Sequence, residues 1–165
     1  MDLSNCSELE IIELYSSVIK ELKNRKIIRT KNVLGDLGEY LAIKYYCNNT
    51  KLPNLQAAPI NTQNIDAIDR NGERYSIKST SGTQTGVFYG LNEKGSNIPD
   101  DRKFEYVIIC CFNDNLELNA IYQLDWKTFI KHKKWHSRMK AWDLSVTQKL
   151  ISDCKVIYKK ETVLI

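Results

Sequence analysis

A chain of 165 residues with 42% apolar and 27% charged content has the length and composition of one globular domain, able to bury a core without disulfide or metal staples. No uninterrupted apolar run approaches the roughly 20 residues that span a bilayer, and the start "MDLSNCSELE" lacks the pattern of an export signal, so the expected setting is cytoplasmic with no membrane partner. The net charge of +4 permits an anionic partner without requiring one, and the five cysteines, unpaired in pattern, read as small core residues in a reducing compartment.

In chain order, Ser7 and Glu10 form a capping box, and Ile11, Tyr15, Val18 and Leu22 follow at helical spacing, which predicts a first helix from about Ser7 to Asn24. Leu37, Leu41 and Tyr45 predict a second helix from near Gly35 to just before Asn48, with Glu39 on a neighbouring face. Residues 48–63, rich in Asn and Gln and holding Pro53 and Pro59, read as an irregular connection. A hairpin follows over residues 64–80, then a long polar loop, then two strong strands, "FEYVIICCF" and "LELNAIYQL", joined by the turn residues Asn113, Asp114 and Asn115. In the first of these, Cys110 and Cys111 are expected on opposite faces. A helix is expected from about Asp125, covering "WKTFIKHKKW", and the tail from Cys154 could add an edge strand. The fold class is therefore α/β or mixed α+β, with a central mixed, mainly antiparallel sheet of four or more strands flanked by helices.

The hairpin "NIDAIDRNGERYSIKST" carries the chemistry. Ser76 and Lys78 share a strand face, and the turn decides whether Asp66 joins them. A two-residue loop at Asn71 and Gly72 would pair Asp66 with Ile77 and turn it from Lys78. A three-residue loop, with Gly72 in the left-handed conformation, pairs Asp69 with Glu73 and Asp66 with Ser76, making Asp66 and Lys78 diagonal neighbours. A carboxylate and an ammonium so placed suit a magnesium ion and an attacking water, and hence phosphodiester hydrolysis.

The pattern "D-A-I-D-x-x-G-x-x-Y-S-I-K" resembles the signature hairpin of the PD-(D/E)XK nuclease superfamily, and in particular its type II restriction endonucleases. The resemblance spans roughly residues 64–142, where "AIYQL" is followed by Asp125 and a Trp-containing basic segment taken as an amphipathic helix to Trp142. It implies a restriction endonuclease-like fold, with residues 1–165 forming one nuclease domain, a helical N-terminus (1–47) contributing to dimerisation, and a catalytic core from about 35 to 165. It further implies Mg2+ as cofactor, with Mn2+ as a substitute, Asp66 as metal ligand, Lys78 as catalytic lysine and the Ile77 carbonyl as a further ligand. Ser76 departs from the pattern, standing where Glu or Asp is usual, and a hydroxyl is a far poorer magnesium ligand. The missing acid is expected to be Glu39, which matches the superfamily's helical glutamate, with Glu93 as the second choice because it resembles the displaced acid of serine-containing variants. Asp69 is turned away by strand parity.

The implied activity is sequence-specific cleavage of double-stranded DNA by a homodimer, with Ile12 and Ile19 of the first helix on the dimer surface. Ser81, Thr83, Gln84 and Asn92 are the expected base-contacting residues. Two basic stretches, residues 23–31 and 131–140, suit a phosphate backbone, the second through Lys133 and Lys134. His132 and His136 sit four apart but lack a third ligand or general base, which excludes a metalloprotease pattern, and no glycine-rich phosphate loop is present. Two other readings stay open: a structure-specific or weakly specific nuclease of repair or defence, and a catalytically decayed DNA-binding module.

Overall fold

The computed structural model describes residues 2–59 and 62–161. The first helix, α1, runs Glu8–Asn24 behind the expected capping box: Ser7 caps Glu10 N and the Glu10 carboxylate returns to Ser7 N at 2.8 Å. None of its residues is buried. Past a left-handed Lys26 (φ 58), Ile28 is buried and fixes the chain before α2, Val33–Cys47. Helix α2 begins two residues earlier than the sequence predicts because the Asn32 side chain accepts from Gly35 N at 3.1 Å and acts as the cap.

Short strands β1 (Gln56–Ala57) and β2 (Ala67–Ile68) lead into β3 (Arg74–Thr80), β4 (Tyr106–Phe112) and β5 (Leu118–Asp125). Then come α3 (Trp126–His132), β6 (Lys134–His136), β7 (Ala141–Asp143), α4 (Gln148–Ser152) and β8 (Lys155–Lys159), the last being the expected edge strand. The main sheet has six strands in the order β1-β2-β3-β4-β5-β8. Its pairings are antiparallel except β3 with β4, so the sheet is mixed. A parallel pair needs a crossover, and here the connection is residues 81–105, which carry no long helix of their own.

Strand alternation divides the core into two layers. Tyr75, Ile77, Ile108, Cys110 and Ile121 point to one face, where Ala42 and Tyr46 of α2 cover them. Val107, Ile109, Tyr122 and Leu124 point to the other, covered by Phe129 of α3, Leu150 of α4, and Phe88 and Phe104 from the crossover. Each such fully buried side chain contributes on the order of 1.5–3 kcal/mol of transfer free energy. Cys110 and Cys111 fall in opposite layers as expected. The expectation that all five cysteines are core residues is corrected for Cys6 and Cys47, which are exposed near helix ends.

The basic helix expected from Asp125 to Trp142 is also corrected. Asp125 caps α3 as N-cap, with Thr128 N at 2.8 Å, but at Lys133 the backbone becomes extended (φ -58, ψ 139). Residues 134–143 form a two-stranded hairpin instead, with Trp135 opposite Trp142 and their rings at 5.2 Å in an edge-to-face contact. Cross-strand aromatic packing outweighs the helical pattern of charges there. The two histidines are consequently not neighbours on one helix: His132 Nε2 lies 2.6 Å from Asp153 Oδ2, while His136 is on β6.

Gly38 sets how closely α2 lies on the sheet. A Cβ there would stand 1.8 Å from Ser79 Oγ and 3.4 Å from Cys110 Cβ, and the Cys110 thiol approaches Gly38 O at 3.5 Å. Gly38→Val is expected to destabilise the fold by about 1–3 kcal/mol through overpacking, read as a lowered urea midpoint at unchanged m-value, and an unchanged midpoint would refute this close approach.

Candidate active site

The hairpin turn adopts the three-residue form. Asp69 N donates to Glu73 O at 3.1 Å, Gly72 N to Asp69 O at 3.1 Å, and Gly72 has φ +82. The Asp69 carboxylate closes the turn, with Oδ1 accepting from Asn71 N (2.8 Å) and Glu73 N (3.0 Å), so its role there is structural. The register pairs Ala67 with Tyr75 and Ile68 with Arg74, which continues to Asp66 against Ser76.

Asp66 sits where β2 begins. Its Oδ2 accepts from Ile77 N at 2.6 Å and from the buried Ser76 hydroxyl at 3.4 Å. Ser76 therefore orients the Asp66 carboxylate. Among the described residues, no hydrogen bond uses Asp66 Oδ1. Lys78, two residues along the same strand face, holds its ammonium 5.0 Å from the Phe88 ring centroid.

Glu39 reaches this place from α2. It lines a cavity of about 240 Å³ together with Asp66, Arg29, Thr30 and Asp36, and this adjoins a second cavity of about 360 Å³ that shares Arg29, Asp36 and Glu39. Burial pushes the Glu39 carboxyl up to about 6, and the Asp66 charge adds to the rise; Arg29 and Lys78 act against it. Glu39 is ion-paired with Arg29. The buried Asp36 carboxylate accepts from Arg29 N and Thr30 N, both at 2.6 Å, and from Thr30 Oγ1 at 3.1 Å. Burial raises the Asp36 carboxyl, but these hydrogen bonds outweigh it and hold the group below its ordinary range.

Two carboxylates on different elements, Glu39 and Asp66, thus line one cavity; Ser76, Ile77 and Lys78 do not line it, and Ser76 and Ile77 reach it only through their bonds to Asp66. Among the described residues no three or more His, Cys, Asp or Glu side chains are grouped so that they could jointly hold a metal ion. Such a pair does not make an all-protein cage for zinc or calcium, but it fits magnesium, which keeps several waters and takes one or two carboxylates.

Other expected site residues lie elsewhere. Glu93 is exposed in the crossover and does not line the cavity. Ser81, Thr83, Gln84 and Lys134 are exposed. The Asn92 amide is occupied internally, donating to Ile98 O (2.9 Å) and Pro99 O (3.1 Å). Lys133 is largely buried, ion-paired with Asp100 and 4.0 Å from the Trp142 ring centroid. Both are only partly exposed, with their polar groups engaged within the protein. Arg29 and Asp36 carry no site signal in the sequence beyond the place of Arg29 in the basic stretch 23–31.

The sequence matches no protein-family profile, and no curated protein matches it. Among the described residues, no helix is long and apolar enough to cross a membrane.

Because Glu39 binds its proton more tightly folded than unfolded, it costs stability once ionised, and the cost develops as pH rises from about 4.5 through about 6. In metal-free buffer, Glu39→Gln is therefore expected to be more stable than wild type at pH 7 by on the order of 1–2 kcal/mol, with the difference closing below pH 4.5. Thermal denaturation across this pH range checks it, and a gain that grows toward acid pH contradicts the assignment.

Proposed function

We propose that the chain is a magnesium-dependent endonuclease that hydrolyses phosphodiester bonds of double-stranded DNA, of the type II restriction kind. The observation that carries this reading is the meeting of Glu39 and Asp66, from separate elements, in one cavity beside the strand that bears Lys78. The resemblance of the hairpin to PD-(D/E)XK nucleases supports it, with Glu39 taking the place of the acid that Ser76 lacks.

In this reading Asp66, Glu39 and the Ile77 carbonyl hold the metal, which when bound lowers the pKa of a water and neutralises charge on the scissile phosphate. Ser76 and the Ile77 N–H fix the Asp66 carboxylate, so that one oxygen is committed to the protein and the other is open. Lys78 orients the attacking water or offsets charge on the pentavalent phosphorus, and the Phe88 ring near its ammonium attracts it without neutralising it. Incubation of purified protein with plasmid DNA and Mg2+ is expected to give discrete fragments. Asp66→Asn, Glu39→Gln and Lys78→Ala should each lower the cleavage rate by a hundredfold or more while leaving the fold intact by circular dichroism. Absence of any cleavage by wild type on several unrelated DNAs, with DNA binding retained, points instead to the decayed binding module.

One observation favours a second reading, a structure-specific or weakly specific nuclease. Asn92 and Lys133, two of the expected DNA contacts, are consumed by internal bonds. That leaves fewer polar side chains for base reading. A smear or junction-dependent products in place of discrete bands would select it.

A homodimer suits the proposed task, because a two-fold partner presents one hairpin to each strand of a duplex. Its support is α1, in which Ile11, Ile12, Tyr15 and Val18 are exposed and no residue is buried. The first half of the helix carries Glu8, Glu10 and Glu13, whereas Lys20, Lys23, Arg25 and Lys26 outnumber Glu21, which pairs with Arg25, in and beyond its second half. Antiparallel pairing of two copies therefore covers the apolar arc and sets acidic ends against basic ends. Sedimentation is expected to show a dimer for wild type and a monomer for Ile11→Glu/Val18→Glu. Dimerisation unaffected by this double substitution would place the interface elsewhere.

A further inference from the structure

Among the described residues, Arg29 is the one basic residue lining the cavity with Glu39 and Asp66, and its position there is built rather than incidental. The preceding residue, Ile28, is 1% exposed and anchors the chain in the core. The backbone N–H groups of Arg29 and Thr30 both point at the buried Asp36 carboxylate at 2.6 Å, so the turn before α2 is pinned to the first turn of that helix. The Arg29 side chain itself takes no part in this pinning. It leaves the turn toward Glu39, pairs with that carboxylate, and is still 39% exposed, so solvent and a ligand can reach it.

Building on the nuclease reading, we infer that Arg29 is a two-position residue: it is counter-ion to Glu39 in the metal-free protein and grips a DNA phosphate once a divalent cation takes that carboxylate. Two physical points carry this. A carboxylate in a partly desolvated cavity beside a second acid needs a positive partner, and the guanidinium supplies it in the place a cation would otherwise serve. When Glu39 turns to a metal, the planar fork of Arg29 is left at the mouth of the cavity with its N–H donors unused, and that fork matches the oxygens of a phosphate in bidentate geometry. The same residue therefore opposes metal binding and favours substrate binding.

Those opposite signs give the test, because a merely structural role would move both affinities in one direction. The probes are MgCl2 alone by isothermal titration calorimetry, and a labelled DNA duplex by anisotropy with Ca2+ replacing Mg2+ to prevent cleavage. Arg29→Ala keeps the backbone bonds to Asp36. It is expected to bind Mg2+ about two- to fivefold more tightly, the size of effect that losing a half-exposed ion pair allows. The same variant should bind DNA about tenfold more weakly, with the slope of log affinity against log salt reduced by about one. Arg29→Lys, which keeps the charge and loses the fork, should restore the salt slope and Mg2+ affinity but only part of the DNA affinity.

Mg2+ binding that is unchanged or weakened in Arg29→Ala, or DNA binding with an unchanged slope, overturns the inference. Asp66→Asn and Glu39→Gln separate this from failure of the nuclease reading. If both abolish Mg2+ binding while Arg29→Ala is silent, the role of Arg29 alone is refuted. If wild type binds no Mg2+, or both substitutions leave binding unchanged, the metal site falls and the role of Arg29 with it.

Discussion

The absence of a side chain at Gly38 is the constraint on which the site depends. Ser79 and Cys110 occupy the surface onto which α2 packs, and there is room for the helix backbone only because no Cβ intervenes. At that distance Ala42 and Tyr46 close the first core layer, and Glu39, the residue next to the contact, is delivered to the cavity that Asp66 lines. Packing and chemistry are thus coupled through a single turn of helix. A rise of an ångström or two in the helix would loosen the core and separate the two carboxylates together.

The electrostatics follow from that placement. Glu39 is taken partly out of water beside Asp66, which raises its affinity for a proton, and Arg29 and Lys78 compensate from two sides. Asp36 shows the opposite outcome although burial opposes its charge too, because three hydrogen bonds from Arg29 and Thr30 satisfy its carboxylate. Two acids three residues apart on one helix therefore serve different ends. Asp36 stabilises the turn that carries Arg29, whereas Glu39 is partnered by the half-exposed Arg29 guanidinium and, among the described residues, by no backbone N–H.

The crossover between β3 and β4 has a comparable internal logic. A stretch this long without a covering helix is uncommon in compact domains, and it is held by being stitched to the β6–β7 hairpin. Phe88 exchanges backbone bonds with Trp142, the Trp142 indole donates to Asn92 O at 2.7 Å, and Lys133 and Asp100 form an ion pair that is mostly withdrawn from solvent. Phe88 at the same time packs against Phe104 and Phe129 and lies beneath the Lys78 ammonium. The crossover consequently supports the lysine from below while exposing Ser81, Thr83 and Gln84 at its start.

Local rules written in consecutive residues were legible without coordinates. The capping box of α1, the glycine-dependent hairpin turn, the alternation that sends Cys110 and Cys111 into different layers, and the edge strand at the end of the described chain each depend on neighbours within a few positions. The tertiary structure decided what such neighbours cannot. The parallel pairing of β3 with β4 joins segments as far apart as Tyr75 and Tyr106, and at residues 134–143 the packing of Trp135 on Trp142, with Trp142 also bridged to Phe88, overrides a helical charge pattern. Glu39 could be named from the sequence, but its nearness to Asp66 required α2 to be seated on the sheet. Arg29 could not be given a place at all, since its position rests on the Asp36 carboxylate accepting from the backbone N–H groups of Arg29 and Thr30 across a turn, and such a bond leaves no periodic trace in a sequence.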